Sequence, residues 1–241
     1  MYSLYLVYYI LSIVLIPGLI LGIWAQTKVV STYNEYSKVD TKHGVTANKV
    51  ARFLLDAGGC SNTKIQKING ELTDNYNPTT DTISLSETVH DQISIAAIGV
   101  AAHEIGHVFQ HREGYAGIKA RKVLVPLINF SGYFVWPLII IGLILEMVYY
   151  STLAPVLIYI GIGIYALETI FCLITLPIEL NASKRAQKML LATGEMDVDE
   201  IEGVKKVLNA AAWTYVAALV TSILSLLRLI LFVFMMRGNR D

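Results

Sequence analysis

The sequence predicts a mainly α-helical membrane protein with about four transmembrane helices and a small α+β domain. Three observations carry that prediction. The 241 residues are 54% hydrophobic and only 16% charged, with a mean hydropathy of +0.53, whereas soluble domains are about 25% charged. The apolar residues are gathered into four runs, at 2–25, 123–150, 156–178 and 211–236, each long enough to cross roughly 30 Å of hydrocarbon. The polar stretch between the first two runs mixes helical and alternating patterns, as a small α+β domain would. Formal net charge is zero, so no overall field favours nucleic acid.

Each element has a local reason. The run 2–25 contains no charged side chain, is kinked by Pro17-Gly18 and ends at Trp24, an interfacial residue type. It lacks the basic start and small-residue cleavage site of a signal peptide and reads as a retained anchor. Residues 26–42 are polar, with Tyr33 and Tyr36 interspersed, and read as an exposed helix. In 44–59, Thr46 is the expected N-cap, Val50, Phe53 and Leu54 form an apolar stripe, and Gly58-Gly59 ends the helix. Residues 63–72 read as a strand and turn, and Asn77-Pro78 as another turn. Residues 82–86, TISLS, alternate like a half-buried strand with Ile83 and Leu85 on one face. The run 92–112 has no Pro, with Asp91 as the expected N-cap and Gly114 as the stop.

Beyond a basic cluster of Lys119, Arg121 and Lys122, the second apolar run is interrupted by Pro126 and Pro137 and carries Glu146. The third contains Glu168, a charge that an apolar span tolerates only with a partner or a wet path. Residues 179–210 are polar and helical, broken at Thr193-Gly194, and the last run carries Arg228. The predicted organisation is a transmembrane anchor at 1–25, a polar α+β domain at 26–122, a transmembrane hairpin at 123–178, a helical segment at 179–210, and a transmembrane helix with a short tail at 211–241. Four spans put 26–122 and 179–210 on one side. That side holds sixteen Lys and Arg against two, Arg237 and Arg240, on the other. The positive-inside rule places the sixteen in the cytoplasm. Cys60 and Cys172 fall in different segments and are not expected to pair.

The chemistry concentrates in AAHEIGHVFQH, residues 101–111. His103, Glu104 and His107 form an H-E-x-x-H match. On a helix, positions i and i+4 stack one turn apart on one face, so two imidazoles can reach one metal ion while Glu104 serves as general base to a water beside it. That is the arrangement of a zinc metallopeptidase. Ala101, Ala102, Ile105 and Val108 surround Glu104 with apolar groups, where an unpartnered charge is costly. His111 continues the face by one more turn, too far along a rigid helix to join the same ion. The strand 82–86 lies just ahead of this helix, as an edge strand for an extended peptide or as part of a structural hairpin.

A catalytic zinc takes three protein ligands and keeps a position for water. No third His follows at short range, so the remaining candidates are carboxylates on the same side. Glu179, opening ELNASKRA at the end of the third span, stands out; the helix dipole would also favour a Glu there. Together, AAHEIGHVFQH, ELTDNYNPTTDTISLSETV and ELNASKRA resemble the YugP-type zinc-dependent membrane peptidases over nearly the whole chain. The resemblance implies a gluzincin-like site with one Zn²⁺ per chain and Glu179 as third ligand beside His103 and His107. The chain also looks distantly like membrane peptidases with a Glu-x-x-x-Asp motif after H-E-x-x-H, but has Ser183 where those have Asp. Ser183, Asn181 or a backbone carbonyl then becomes the expected partner of a ligating His.

The expected activity is hydrolysis of peptide bonds by a membrane-embedded zinc metalloendopeptidase of the cell membrane, with Glu104 as base and a peptide or protein as substrate. Tyr115, Asn181 and Arg185 are the candidate oxyanion donors. Two other readings fit parts of the sequence. One is a catalytically silent metal-binding scaffold or adaptor, although a scaffold has no need of Glu104. The other is a transporter lined by Glu146, Glu168 and Arg228, although four spans hold few polar residues for a path.

Overall fold

The computed structural model describes residues 11–148 and 152–238. The start of the first predicted span, the link at 149–151, and Arg240 with its neighbours lie outside the described residues, as does the side chain of Glu146. The protein is a mainly α membrane protein. Its helices are α1 (Ile16–Tyr36), α2 (Ala47–Ala57), α3 (Ile95–Arg112), α4 (Ala116–Val148), α5 (Ala154–Thr193) and α6 (Val198–Gly238). A three-stranded sheet is formed by β1 (Lys64–Ile68), β2 (Asn75–Asn77) and β3 (Thr82–Ser86).

Among the described residues, three helical stretches are long and apolar enough to cross a membrane: Ile13–Tyr36, Ala154–Thr193 and Val198–Met235. Ala116–Phe130 and Gly132–Leu145 meet at 47° and make a fourth when counted as one span. The bend lies between Pro126 and Pro137, each of which removes an N–H from the helical ladder.

The chain divides into two compact units. One comprises 1–24, 120–175 and 215–241. Within it, helices meet at small residues: a Cβ on Gly161 would lie 2.6 Å from the Ile139 side chain, and one on Gly18 2.9 Å from Thr221 Oγ1. The hydroxyls of Thr169 and Ser222 meet at 2.7 Å, satisfying two polar groups in apolar surroundings.

The other unit comprises 25–119 and 176–214. Its core joins Val50, Leu54 and Leu55 of α2, Ile83 and Leu85 of β3, and Ile98, Ile105 and Val108 of α3. Leu190 of α5 and Val204 of α6 complete it. The strand order is β1-β3-β2, with β1 parallel and β2 antiparallel to β3. Thus β3 is the central strand, not an edge, and all five of its residues are buried. Its polar side chains are satisfied locally: Gln66 Nε2 donates to Ser84 Oγ at 2.9 Å, and Asp74 accepts from the Ser86 N–H at 2.7 Å and its hydroxyl at 2.9 Å. The short edge strand β2 carries no alternating pattern long enough to read from sequence, and it packs beside α3.

Helix α2 follows expectation, entered through Thr46 in an extended conformation and left through Gly58 and Gly59. Helix α3 begins three residues later than predicted. Residues 87–91 form a turn, Ser94 is extended and bridged to Asp40, and the N-cap is Ser94, whose hydroxyl accepts from the Ala97 N–H at 3.3 Å, rather than Asp91. Asp91 instead pairs with Lys67 at 2.8 Å. At its other end α3 stops at Arg112, with Gly114 at φ 67°. The first helix continues without a break to Tyr36, and the break at Thr193-Gly194 separates α5 from α6 as expected. Both cysteines are free.

Candidate metal centre

Helix α3 sets His103 and His107 one turn apart, their rings edge-to-face with centroids 4.8 Å apart. Helix α5 comes very close to α3 here. A Cβ on Gly106 would lie 2.6 Å from the carbonyl oxygen of Ala182, so only glycine permits this approach. The contact brings Glu179 and Ser183, one turn apart on α5, against the two histidines. Glu179 Oε2 lies 3.2 Å from His103 Nε2 and 3.3 Å from His107 Nε2. Single ligand atoms from His103, His107 and Glu179 all lie within 4.8 Å of one another.

These separations fit zinc. Bonds of about 2.0–2.2 Å in a tetrahedral site place ligand atoms roughly 3.3–3.6 Å apart. Two of the three edges already have nearly that length, and the donor set of two imidazoles and one carboxylate is one that catalytic zinc takes. Glu179 is only 3% exposed; a buried carboxylate facing two imidazole nitrogens is a group prepared for a cation.

Glu104, 8% exposed, shares the site. Burial pushes its pKa above the ordinary carboxylate value, opposed in part by the neighbouring His107 and His103. Such a shift moves a carboxyl group toward the range in which it can take and return a proton near neutral pH.

The far sides of the histidines are also occupied. His103 Nδ1 meets Ser183 Oγ at 3.1 Å, one of the partners expected from sequence. His107 Nδ1 meets Gln110 Oε1 at 2.9 Å. Sequence reasoning missed Gln110, which is fully buried; the usable signal was a Gln one turn beyond His107 in an apolar helix. Gln110 donates in turn to Ile178 O at 2.8 Å and Asn181 Oδ1 at 2.9 Å. His111 is exposed, stands apart from the ligand group and meets the Tyr76 hydroxyl at 3.0 Å.

The expected oxyanion donors fare differently. Arg185 is committed elsewhere, with Nε donating to Asn181 Oδ1 at 2.8 Å and both terminal nitrogens to Glu113 at 2.7 Å. Asn181 Oδ1 is therefore shared between Gln110 and Arg185. Both residues buttress the site from behind. Tyr115 lies half-buried in the turn between α3 and α4.

Comparison with known proteins points to zinc chemistry. A family model described as "Putative neutral zinc metallopeptidase" matches residues 11–234. The chain is 41% identical over 228 residues to the "Putative membrane protease YugP" of Bacillus subtilis (strain 168), covering 94% of this chain and 96% of that protein. No solved structure matches.

Proposed function

This chain belongs to the neutral zinc metallopeptidase family, and on that premise we propose that it is a membrane-embedded endopeptidase. In this reading His103, His107 and Glu179 hold the zinc that the family's chemistry requires, and Glu104 is the general base. The observation that carries the proposal is the convergence of three ligand atoms within 4.8 Å beside a buried carboxyl group that the ligand set does not use. Zinc, when bound, lowers the pKa of water to about 7 and polarises a carbonyl. Glu104 accepts the proton as the water oxygen bonds to the scissile carbonyl carbon. It returns that proton to the amide nitrogen as the carbon–nitrogen bond breaks. Helix α3 holds Glu104 one residue from the first ligand, so base and metal share one rigid element.

The substrate is a peptide or protein, membrane-associated or cytosolic. The outer edge of β2, rather than β3, suits an extended segment, because β2 is the outermost strand on the side that packs beside α3 and main-chain pairing to such an edge tolerates varied side chains. The sixteen-to-two basic asymmetry supports a catalytic domain in the cytoplasm and spans in the cell membrane. The segments 26–122 and 179–210 then supply the site, and 1–25, 123–178 and 211–241 the anchoring.

The test is purified full-length protein with metal analysis and a casein-type cleavage assay on wild type and Glu104→Gln. Zinc near one per chain in both, with cleavage only in the wild type, is the expected result. Equal cleavage by both removes Glu104 from the role of base and favours a metal-binding scaffold.

A further inference from the structure

We infer that Gln110 is a positioning residue that locks His107 into one tautomer, with the proton on Nδ1 and the Nε2 lone pair presented to the metal. The locking polarity originates on α5. An arginine guanidinium can only donate, so the atom of Asn181 that faces Arg185 Nε at 2.8 Å must be its carbonyl oxygen. That same oxygen faces one terminal atom of the Gln110 amide at 2.9 Å, which must then be the NH₂. The carbonyl of Ile178, also able only to accept, faces the same atom at 2.8 Å and fixes the amide independently. The other terminal atom of Gln110 is thus its oxygen, an acceptor, and it faces His107 Nδ1 at 2.9 Å. Nδ1 must carry a hydrogen.

His103 has no such lock. Its Nδ1 partner is the Ser183 hydroxyl at 3.1 Å, which can donate or accept. The two histidines of one motif therefore have different supports. His103 rests on a rotatable hydroxyl, His107 on an amide that is fully buried and whose NH₂ donates to two acceptors on α5. The chain from Arg185 through Asn181 and Gln110 also ties α5 to α3, one turn along the seam from Gly106. The residue supplying the third candidate ligand, Glu179, follows Ile178 directly. Orientation of His107 and placement of Glu179 are set by one connected group of side chains. Partners that orient a ligating histidine commonly contribute 10- to 100-fold to metal affinity.

This inference rests on the zinc-site reading above, but protonation of Nδ1 can be read without metal. Full-length protein in detergent, labelled with ¹⁵N-histidine, contains five histidines, and His107→Asn identifies the His107 signal. A proton on His107 Nδ1, both metal-free and with added Zn²⁺, is the expected spectrum. A bare Nδ1 in either state overturns the inference. Gln110→Met keeps the length of the side chain and removes the acceptor; Zn²⁺ affinity, measured by competition with a chelator, is expected to fall 10- to 100-fold. Equal affinities of wild type and Gln110→Met overturn the assignment. If Gln110→Met fails to fold, the wild-type spectrum decides. A wild-type protein that binds no Zn²⁺ refutes the zinc-site reading itself, and the metal-free spectrum still judges the tautomer.

Discussion

Replacing Gly106 by Ala should disable the site without touching any ligand. The added Cβ would stand 2.6 Å from the Ala182 carbonyl oxygen and 3.1 Å from its Cα and carbonyl carbon. These are backbone atoms within an α-helix, so no side-chain rotation relieves the clash. Real Cβ atoms essentially never approach closer than 3.0 Å and ordinary contact begins at 3.4 Å, so α3 and α5 must separate locally by about 0.4–0.8 Å. Glu179 and Ser183 flank Ala182 on α5, and His103 and His107 flank Gly106 on α3, so the separation passes directly into the ligand edges. The 3.2 and 3.3 Å edges would open toward about 4 Å, beyond the roughly 0.2 Å tolerance of zinc–ligand bonds. Overpacking of this kind costs about 1–3 kcal/mol of stability, and misplacement approaching 1 Å can cost 10²-fold in rate. The assays are thermal unfolding, Zn²⁺ competition and peptide cleavage on full-length protein in detergent. A Gly106→Ala protein with Zn²⁺ affinity and cleavage rate within twofold of wild type would refute the claim that this helix contact sets the site.

Other outcomes follow from the same geometry. Glu104→Gln should lower cleavage by at least about 10²–10⁴-fold, since one group serves both proton transfers, while zinc content holds; residual activity in a clean preparation argues against it. Glu179→Ala should lose zinc by elemental analysis, and full retention would mean that another residue is the third ligand. A cysteine placed at exposed Asn62, in a background lacking Cys60 and Cys172, should resist an impermeant reagent in intact cells; ready labelling would reverse the orientation. Burial raises the pKa of Asp74 above its ordinary value, with the Ser86 N–H and hydroxyl opposing. The folded state then holds this proton more tightly than the unfolded state, so the Asp74 contribution to stability falls as pH rises from about 4 toward neutrality. Asp74→Asn should remove that component from a plot of melting temperature against pH, and an unchanged slope would sink the argument.

The parts of this molecule that were legible in the sequence are those governed by local rules. Apolar run length marked the spans, and i, i+4 spacing put His103 and His107 on one face. Gly58-Gly59, Gly114 and Gly194 marked helix ends because a left-handed residue there terminates the ladder. What depended on distant partners was not legible. The central place of β3 is set by β2, a three-residue strand too short to show a period. The start of α3 is set by a bridge between Ser94 and Asp40, 54 positions apart in the chain, which holds Ser94 itself extended. Arg185 and Asn181 suggested free donors by residue type, yet Glu113 and Gln110 engage them, and no spacing rule joins residues some 70 positions apart. Gln110 was visible only as an oddity, a polar residue in an apolar helix.

That division explains why the donor set was readable while its supports were not. Two of the proposed ligands and the proposed base lie within five residues of one helix, so their geometry is helical geometry. The third lies on another helix, and its placement depends on how closely the two backbones approach. Gly106 is what allows that approach, and within the H-E-x-x-H motif it occupies one of the two unspecified positions. It lies three residues past His103 and one before His107, where a side chain would meet the Ala182 carbonyl. The motif written as two histidines and a glutamate thus omits a residue on which the placement of the proposed third ligand depends. A five-residue pattern can be present with the site absent if its fourth position carries a Cβ and the partner helix is as close as it is here. For this packing, the proposed metal site depends on His-Glu-x-Gly-His read together with the backbone of the helix that carries Glu179 and Ser183. Larger side chains at 182 leave its carbonyl in place, so Gly106 rather than Ala182 is the position at which substitution acts on the metal through the backbone.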